Sequence, residues 1–156
     1  MGYILDNCPS LDNCCFSVPL RTAVIIISII GFFWATFYIF AFTTTGSKTI
    51  EDLGIPKSFS KPLRYYHGTF GVLLCGVNVL LFLAAVFESD AFCEVYIWFM
   101  VVFWLFTLIM AIAIAFGAII SDAVVFGSMF LLIIFLTMTL SFYFIVIVAN
   151  YRMTIP

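Results

Sequence analysis

The sequence predicts an all-α fold, an integral membrane four-helix bundle with short loops. Hydrophobic residues make up 65% of the 156 residues and charged residues only 9%, whereas soluble domains are typically about half apolar and about a quarter charged. The segment from Val95 to Tyr151 is almost wholly apolar, and Asp122 is its single charged residue. A membrane-spanning helix needs about 20 apolar residues. The segment is therefore long enough for two spans.

The first half of the chain predicts two further spans. The first covers residues 22–42 and follows Arg21, which marks the membrane boundary. Residues 43–64 combine glycine, proline and charged residues, a composition that is typical of an exposed loop. The second span covers residues 68–87 and follows Tyr65, Tyr66 and His67, whose amphipathic rings favour the headgroup level.

The third and fourth predicted spans form a helical hairpin over residues 95–120 and 123–148. A short acidic turn, Glu88 to Asp90, leads into it, and Ser121-Asp122 is the polar pair at which the hairpin turns. The four spans make residues 1–156 a single transmembrane domain whose two termini lie on the same side of the membrane.

The second span has a candidate helix-packing face. Gly68, Gly71, Cys75 and Asn78 follow one another at steps of three or four residues, so they lie on one side of a helix. Small residues let helices approach closely, and an interhelical hydrogen bond from an amide such as that of Asn78 contributes about 0.6 kcal/mol on average. This face is expected to pack within the bundle; a dimer contact or a substrate-lining role is the alternative.

Charged residues are confined to the ends of the spans and to the loops. Ion pathways and proton relays use ionisable groups inside the membrane, so this pattern disfavours a pump or an ion-coupled transporter. The spans pair no nucleophile with a base and hold no paired carboxylates, so we expect no enzyme, no catalytic residues and no cofactor. His67 is the only histidine and is interpreted as interfacial, so no metal site is expected. No basic run suggests a nucleic-acid partner.

The cysteines leave two alternatives open. Cys8, Cys14, Cys15 and Cys93 lie on the side of the termini, and Cys75 is expected to be buried in the second span. In an oxidising compartment Cys93 could pair with an N-terminal cysteine, whereas in the cytosol the thiols stay reduced. Cys14 and Cys15 beside a span would then be candidate acylation sites; unmodified thiols are the alternative to both.

Basic residues give an orientation signal of their own. Two of them, Arg21 and Arg152, lie on the side of the termini, against four in the first loop. Because basic residues are enriched in cytosolic loops, counting them favours a cytosolic first loop.

The junction before the first span, Cys14-Cys15-Phe16-Ser17-Val18-Pro19-Leu20-Arg21-Thr22, resembles the Cys-Cys … Arg-Thr-Gly opening of the lysosome-associated transmembrane (LAPTM) family and of related short insect four-span proteins. The resemblance implies four helices, cytosolic termini and residence in endolysosomal or plasma membrane. Ala23 stands where the family has glycine, and the Pro-x-Tyr motifs by which some members recruit ubiquitin ligases do not occur, so that role is not implied. We follow the resemblance and expect cytosolic termini.

The sequence is compatible with three functions. The first is a non-enzymatic multi-pass protein that acts through helix–helix contacts in membrane trafficking or organisation. Its partners would be the lipid bilayer and other membrane proteins, or further copies of itself through the small-residue faces. The second is a claudin-like or septate-junction barrier component, although the first loop lacks the tryptophan and cysteines of the claudin pattern. The third is a small transporter or channel subunit.

Overall fold

Four long helices form the protein in a computed structural model that describes residues 13–14, 18–43, 48, 57–120 and 124–155. The all-α four-helix prediction is confirmed. A two-residue antiparallel ladder precedes the first helix and pairs Asn13 with Pro19 and Cys14 with Val18. The elements in chain order are β1 (Asn13–Cys14), β2 (Val18–Pro19), α1 (Leu20–Phe42), α2 (Lys57–Phe87), α3 (Asp90–Ile120) and α4 (Val124–Thr154).

All four helices are long and apolar enough to cross a membrane. At 1.5 Å per residue, the 23 residues of α1 extend about 35 Å, and the 31 residues of α2, α3 and α4 extend about 46 Å each. A hydrocarbon core is about 30 Å thick. The chain is therefore an integral multi-pass membrane protein in contact with the lipid bilayer.

Helix α2 begins earlier than the sequence pattern indicated. Its first residue is Lys57, inside the segment 43–64 that was predicted as a loop, so that prediction is wrong for the last part of the segment. Lysine and arginine are good helix formers, and Pro62, the sixth residue of the helix, removes one intrahelical hydrogen bond. A helix can thus begin outside the hydrocarbon. The turn predicted at Ser121-Asp122 lies outside the described residues.

The turn between α2 and α3 is built on Glu88. This residue has φ of 55°, and the next amide, that of Ser89, donates to the carbonyl of Ala84 at 3.1 Å. A left-handed residue followed by such a bond is a Schellman end, which usually uses glycine. Arg21 of α1 completes it, because the guanidinium donates to the carbonyls of Ala85 at 3.0 Å and Val86 at 3.3 Å and to the Glu88 carboxylate at 2.6 Å.

The helices pack as two close pairs. α1 lies most closely against α2, and α3 against α4; α2 and α3 join the pairs, and the seam between α1 and α4 has the least contact of these four. The core runs down the middle of this ring and is densest at the end of the termini, where Val24, Leu81, Cys93 and Val148 are fully buried.

Candidate functional site

The predicted packing face of α2 lies against α1. A Cβ added at Gly68 would meet Cδ2 of Phe42 at 2.5 Å, and one added at Gly71 would meet Cγ1 of Ile39 at 2.9 Å. Only glycine fits contacts this close. The sequence predicted that Cys75 would be buried, but the structure places it half-buried at the edge of the core.

Asn78 continues this face at the middle of the bundle. It is 3% exposed, and its Nδ2 donates to the carbonyl of Leu74 one turn earlier at 2.7 Å. Its Oδ1 has no hydrogen-bond donor within the described part of the chain. The oxygen rests instead on the backbone of Gly31 in α1. Approaches of this kind between Cα–H groups and oxygen are weakly favourable and recur between packed helices.

Gly31 is a residue that the sequence analysis missed. Ser28, 2% exposed, and Ala35, fully buried, lie on the same side of α1 at steps of three and four residues. The same spacing revealed the face on α2, and it is visible in the first span as well. The two small-residue faces pack against each other, so Gly31 of α1 is the residue that Asn78 of α2 contacts.

Two neighbouring cavities that share lining residues lie in the interior between the helix pairs, and together they form what we call the slot. The upper cavity, of about 180 Å³, lies at the end of the bundle where α1 stops; it is bounded by residues that include Leu63, Tyr66, His67 and Thr107. The lower cavity, of about 130 Å³, is bounded by residues that include Gly31, Asn78, Tyr96 and Ser141. Trp34 of α1 and Thr137 of α4 line both, so the slot follows the loosest seam of the bundle.

An aromatic cluster surrounds the upper cavity. Tyr38 of α1 contacts the ring of His67 with centroids 4.7 Å apart and the ring of Phe103 at 6.0 Å. Tyr66 and Phe70, one turn apart on α2, are 4.7 Å apart. Ring pairs at such distances stabilise beyond the area that they bury. His67 was interpreted as interfacial from the sequence, but the fold places it inside this cluster, half-buried.

The upper cavity also carries oriented polar groups. Thr107 Oγ1 donates a hydrogen bond to the carbonyl of Phe103 at 2.8 Å, so the Tyr66 hydroxyl is the donor in its 2.6 Å hydrogen bond with Thr107. His67 Nδ1 lies 2.7 Å from the carbonyl of Leu63. A carbonyl oxygen only accepts, so Nδ1 carries a proton, and the neutral ring keeps Nε2 as an acceptor.

The opposite end of the bundle, near the termini, holds the charged residues. Arg152 of α4 lies 3.5 Å from Glu94 of α3, with the two side chains 16% and 32% exposed. Cys93 beside them is a free thiol, fully buried. No group of three or more potential metal ligands occurs within the ranges that the structure describes.

The candidate acylation sites stand apart from these features. Cys14 lies in β1, where only its backbone is described, and Cys15 lies outside the described residues. Their modification therefore stays a prediction.

Comparisons with protein-family models, with curated proteins and with solved structures find no match to this chain.

Proposed function

We propose that this chain is a non-enzymatic membrane protein that acts through lateral helix contacts with other membrane proteins, in trafficking or in the organisation of the membrane. The observation that carries the proposal is the small share of each span that is buried. Between 22% (α4) and 39% (α2) of the most apolar window of each span is buried within the chain. Most of each helix therefore faces lipid or a partner.

The outward surface of α4 is the best placed for such contacts. Leu132, Phe135 and Leu136 are 59%, 70% and 60% exposed, on a helix that is apolar all round. In the membrane, association rests on van der Waals packing and hydrogen bonds between helices, not on the hydrophobic effect. Large side chains of well-defined shape supply the packing surface that such a contact needs.

The polar groups of the spans support a structural role. The hydroxyls of Thr36, Thr137 and Ser141 donate to backbone carbonyls one turn earlier, at 2.8–2.9 Å. Their donors are thus used within their own helices. A nucleophile would instead need its proton directed at a base.

Photo-crosslinking from inside the membrane tests the proposal. A photoreactive amino acid at Leu132 points outward, whereas one at Ile147, 1% exposed on the same helix, is the matched control. We expect a discrete protein adduct from position 132 in native membranes and none from position 147. If outward positions on all four helices give only lipid adducts, the proposal is wrong.

The resemblance at Cys14–Thr22 supports a finer proposal, residence in endolysosomal or plasma membrane with cytosolic termini. Acylation of Cys14 and Cys15 fits that orientation, because the acylated cysteines would sit beside the start of α1. Incorporation of an alkyne-tagged fatty acid that is lost in a Cys14→Ser, Cys15→Ser variant would support it; incorporation that is unchanged would exclude these cysteines as the acceptors.

A further inference from the structure

We propose that the slot between α1 and α4 binds a membrane sterol, with the sterol hydroxyl beside His67 and the apolar body directed toward Asn78. Three features support this ligand: the length of the slot, its opening toward lipid, and the polar group at its upper end.

The length of the slot matches one elongated lipid. On α2 it extends from Leu63 to Asn78, which is about 22 Å of helix at 1.5 Å per residue. Its walls are mainly aromatic and aliphatic, with Trp34 at the junction of the two cavities. Flat rings such as those of Trp34 and Phe103 suit a rigid fused-ring body better than a disordered chain, because less conformational freedom is lost on binding.

The slot is open to the bilayer along the seam between α1 and α4. Trp34 on one side of the seam is 44% exposed and Leu140 on the other is 52% exposed, although both line the lower cavity. A ligand dissolved in the bilayer can therefore enter sideways, without passing through water.

The polar end of the slot is uncharged and accepts a hydrogen bond. Nε2 of the neutral His67 ring receives no hydrogen bond from any residue that the structure describes, and the shared Tyr66–Thr107 pair lies across the same cavity. A ligand hydroxyl can donate to Nε2, whereas the Thr107 proton is already donated to the carbonyl of Phe103 and the Tyr66 proton to Thr107. Unsatisfied polar groups in an apolar site weaken binding, so a ligand with one hydroxyl is preferred over a hydrocarbon.

A phosphate headgroup does not fit this end. The nearest cation along α2, Arg64, donates from Nε to the carbonyl of Phe42 at 2.8 Å, and its guanidinium lies 5.2 Å from the centre of the Phe42 ring. It thereby caps the end of α1 and is not directed to the cavity. Burial of an anion without a paired cation is strongly unfavourable.

The test uses the full chain in nanodiscs with a photoactivatable sterol whose reactive group lies on the ring body. We expect saturable labelling of peptides that contain Trp34 or Thr137, and competition by unlabelled sterol. The 3-O-methyl ether, which cannot donate, should compete about fivefold less well, the effect of one lost hydrogen bond. Equal competition by a linear 18-carbon alcohol would overturn the sterol assignment in favour of hydroxyl lipids in general.

Two substitutions on α4 distinguish binding in the slot from binding at the lipid-facing surface. Thr137→Phe fills the junction of the two cavities, whereas Leu136→Phe adds a similar ring at a neighbouring position that is 60% exposed. We expect Thr137→Phe to abolish saturable labelling and Leu136→Phe to leave it unchanged, in variants with the same thermal unfolding profile as the parent. Equal loss in both, or in neither, would overturn the proposal.

His67→Phe tests the polar end without removing the ring. We expect this variant to bind the sterol and its methyl ether with equal affinity, because the acceptor that distinguishes them is gone. A preserved preference for the free hydroxyl would show that His67 is not the acceptor. The Thr137→Phe result is independent of this outcome. The location of the binding site and the assignment of His67 as the acceptor are therefore tested separately.

Discussion

Replacing Gly31 with alanine is the sharpest perturbation of the α1–α2 interface. The new Cβ would lie 2.5 Å from Cγ and 2.8 Å from Nδ2 of Asn78, and closer still to Oδ1. These distances are far inside ordinary contact, so Asn78 must rotate or the helices must separate. Rotation breaks the hydrogen bond from Nδ2 to the carbonyl of Leu74 and leaves a buried amide without a partner.

The expected net cost is about 1–3 kcal/mol of unfolding free energy. Overpacking a tight interface costs about 1–3 kcal/mol, and a lost hydrogen bond in a membrane bundle adds about 0.6 kcal/mol. The better helix propensity of alanine offsets up to about 1 kcal/mol. Gly76→Ala is the matched control, because a Cβ at this position of α2 meets nothing within 4 Å, so this variant should be neutral or slightly more stable.

Thermal unfolding in detergent provides the assay, with a thiol-reactive fluorophore as the reporter. Cys93 is fully buried, so it reacts when the bundle opens, and replacing the other four cysteines with serine in all variants leaves it as the single reporter thiol. Asn78→Ala makes room for the new methyl group, and the double variant should therefore be more stable than the sum of the two single changes by about 1 kcal/mol or more. Additive effects, or a Gly31→Ala variant as stable as Gly76→Ala, would refute the Gly31–Asn78 contact.

Three further outcomes are expected. Arg152→Gln should lower the free energy of unfolding by about 1 kcal/mol, since the ion pair with Glu94 is half-buried. The charge-swapped double variant should recover part of this loss. No recovery would mean that the pair contributes nothing. In a background without other cysteines, and for chains at the cell surface, Met153→Cys, 49% exposed at the end of α4, should react with a membrane-impermeant thiol reagent only after permeabilisation. Lys48→Cys, also exposed, should react without permeabilisation. The reverse pattern would put the termini outside. Amide hydrogen exchange should show protection of α2 well before Gly68, and full exchange of residues 57–67 would contradict the observed helix start.

The sequence predicted the four helices because apolar length is a local property. It placed the start of the second span at Gly68 from the change in polarity, but a helix depends on backbone hydrogen bonds and continues outward to Lys57. The face with Asn78 was visible from spacing on one helix. The residue that this face contacts, Gly31, was not identified, because spacing within α2 does not show which helix the face packs against.

The features of the slot were the least predictable. His67 was interpreted from its position at a boundary and from the absence of a second ligand nearby. Its contact with Tyr38 joins residues of two helices, and the cavity beside it depends on how closely α1 approaches α4. Neither the contact between these two residues nor the distance between the two helices can be predicted from a local pattern of residue types.

The unequal lengths of the spans have a consequence for the surrounding bilayer. The candidate span of α1 has 21 residues, whereas those of α3 and α4 have 28 each and include charged residues such as Glu94 and Arg152 at one end, about 31 Å against about 42 Å. Hydrophobic mismatch of this size is relieved by tilt of the longer helices or by stretching of the lipid beside them, at a fraction of a kcal/mol per Å. The side of the protein at α1 thus fits a thinner bilayer than the side at α3 and α4. We expect a protein with spans of such unequal length to accumulate at the borders of ordered domains, where bilayer thickness changes.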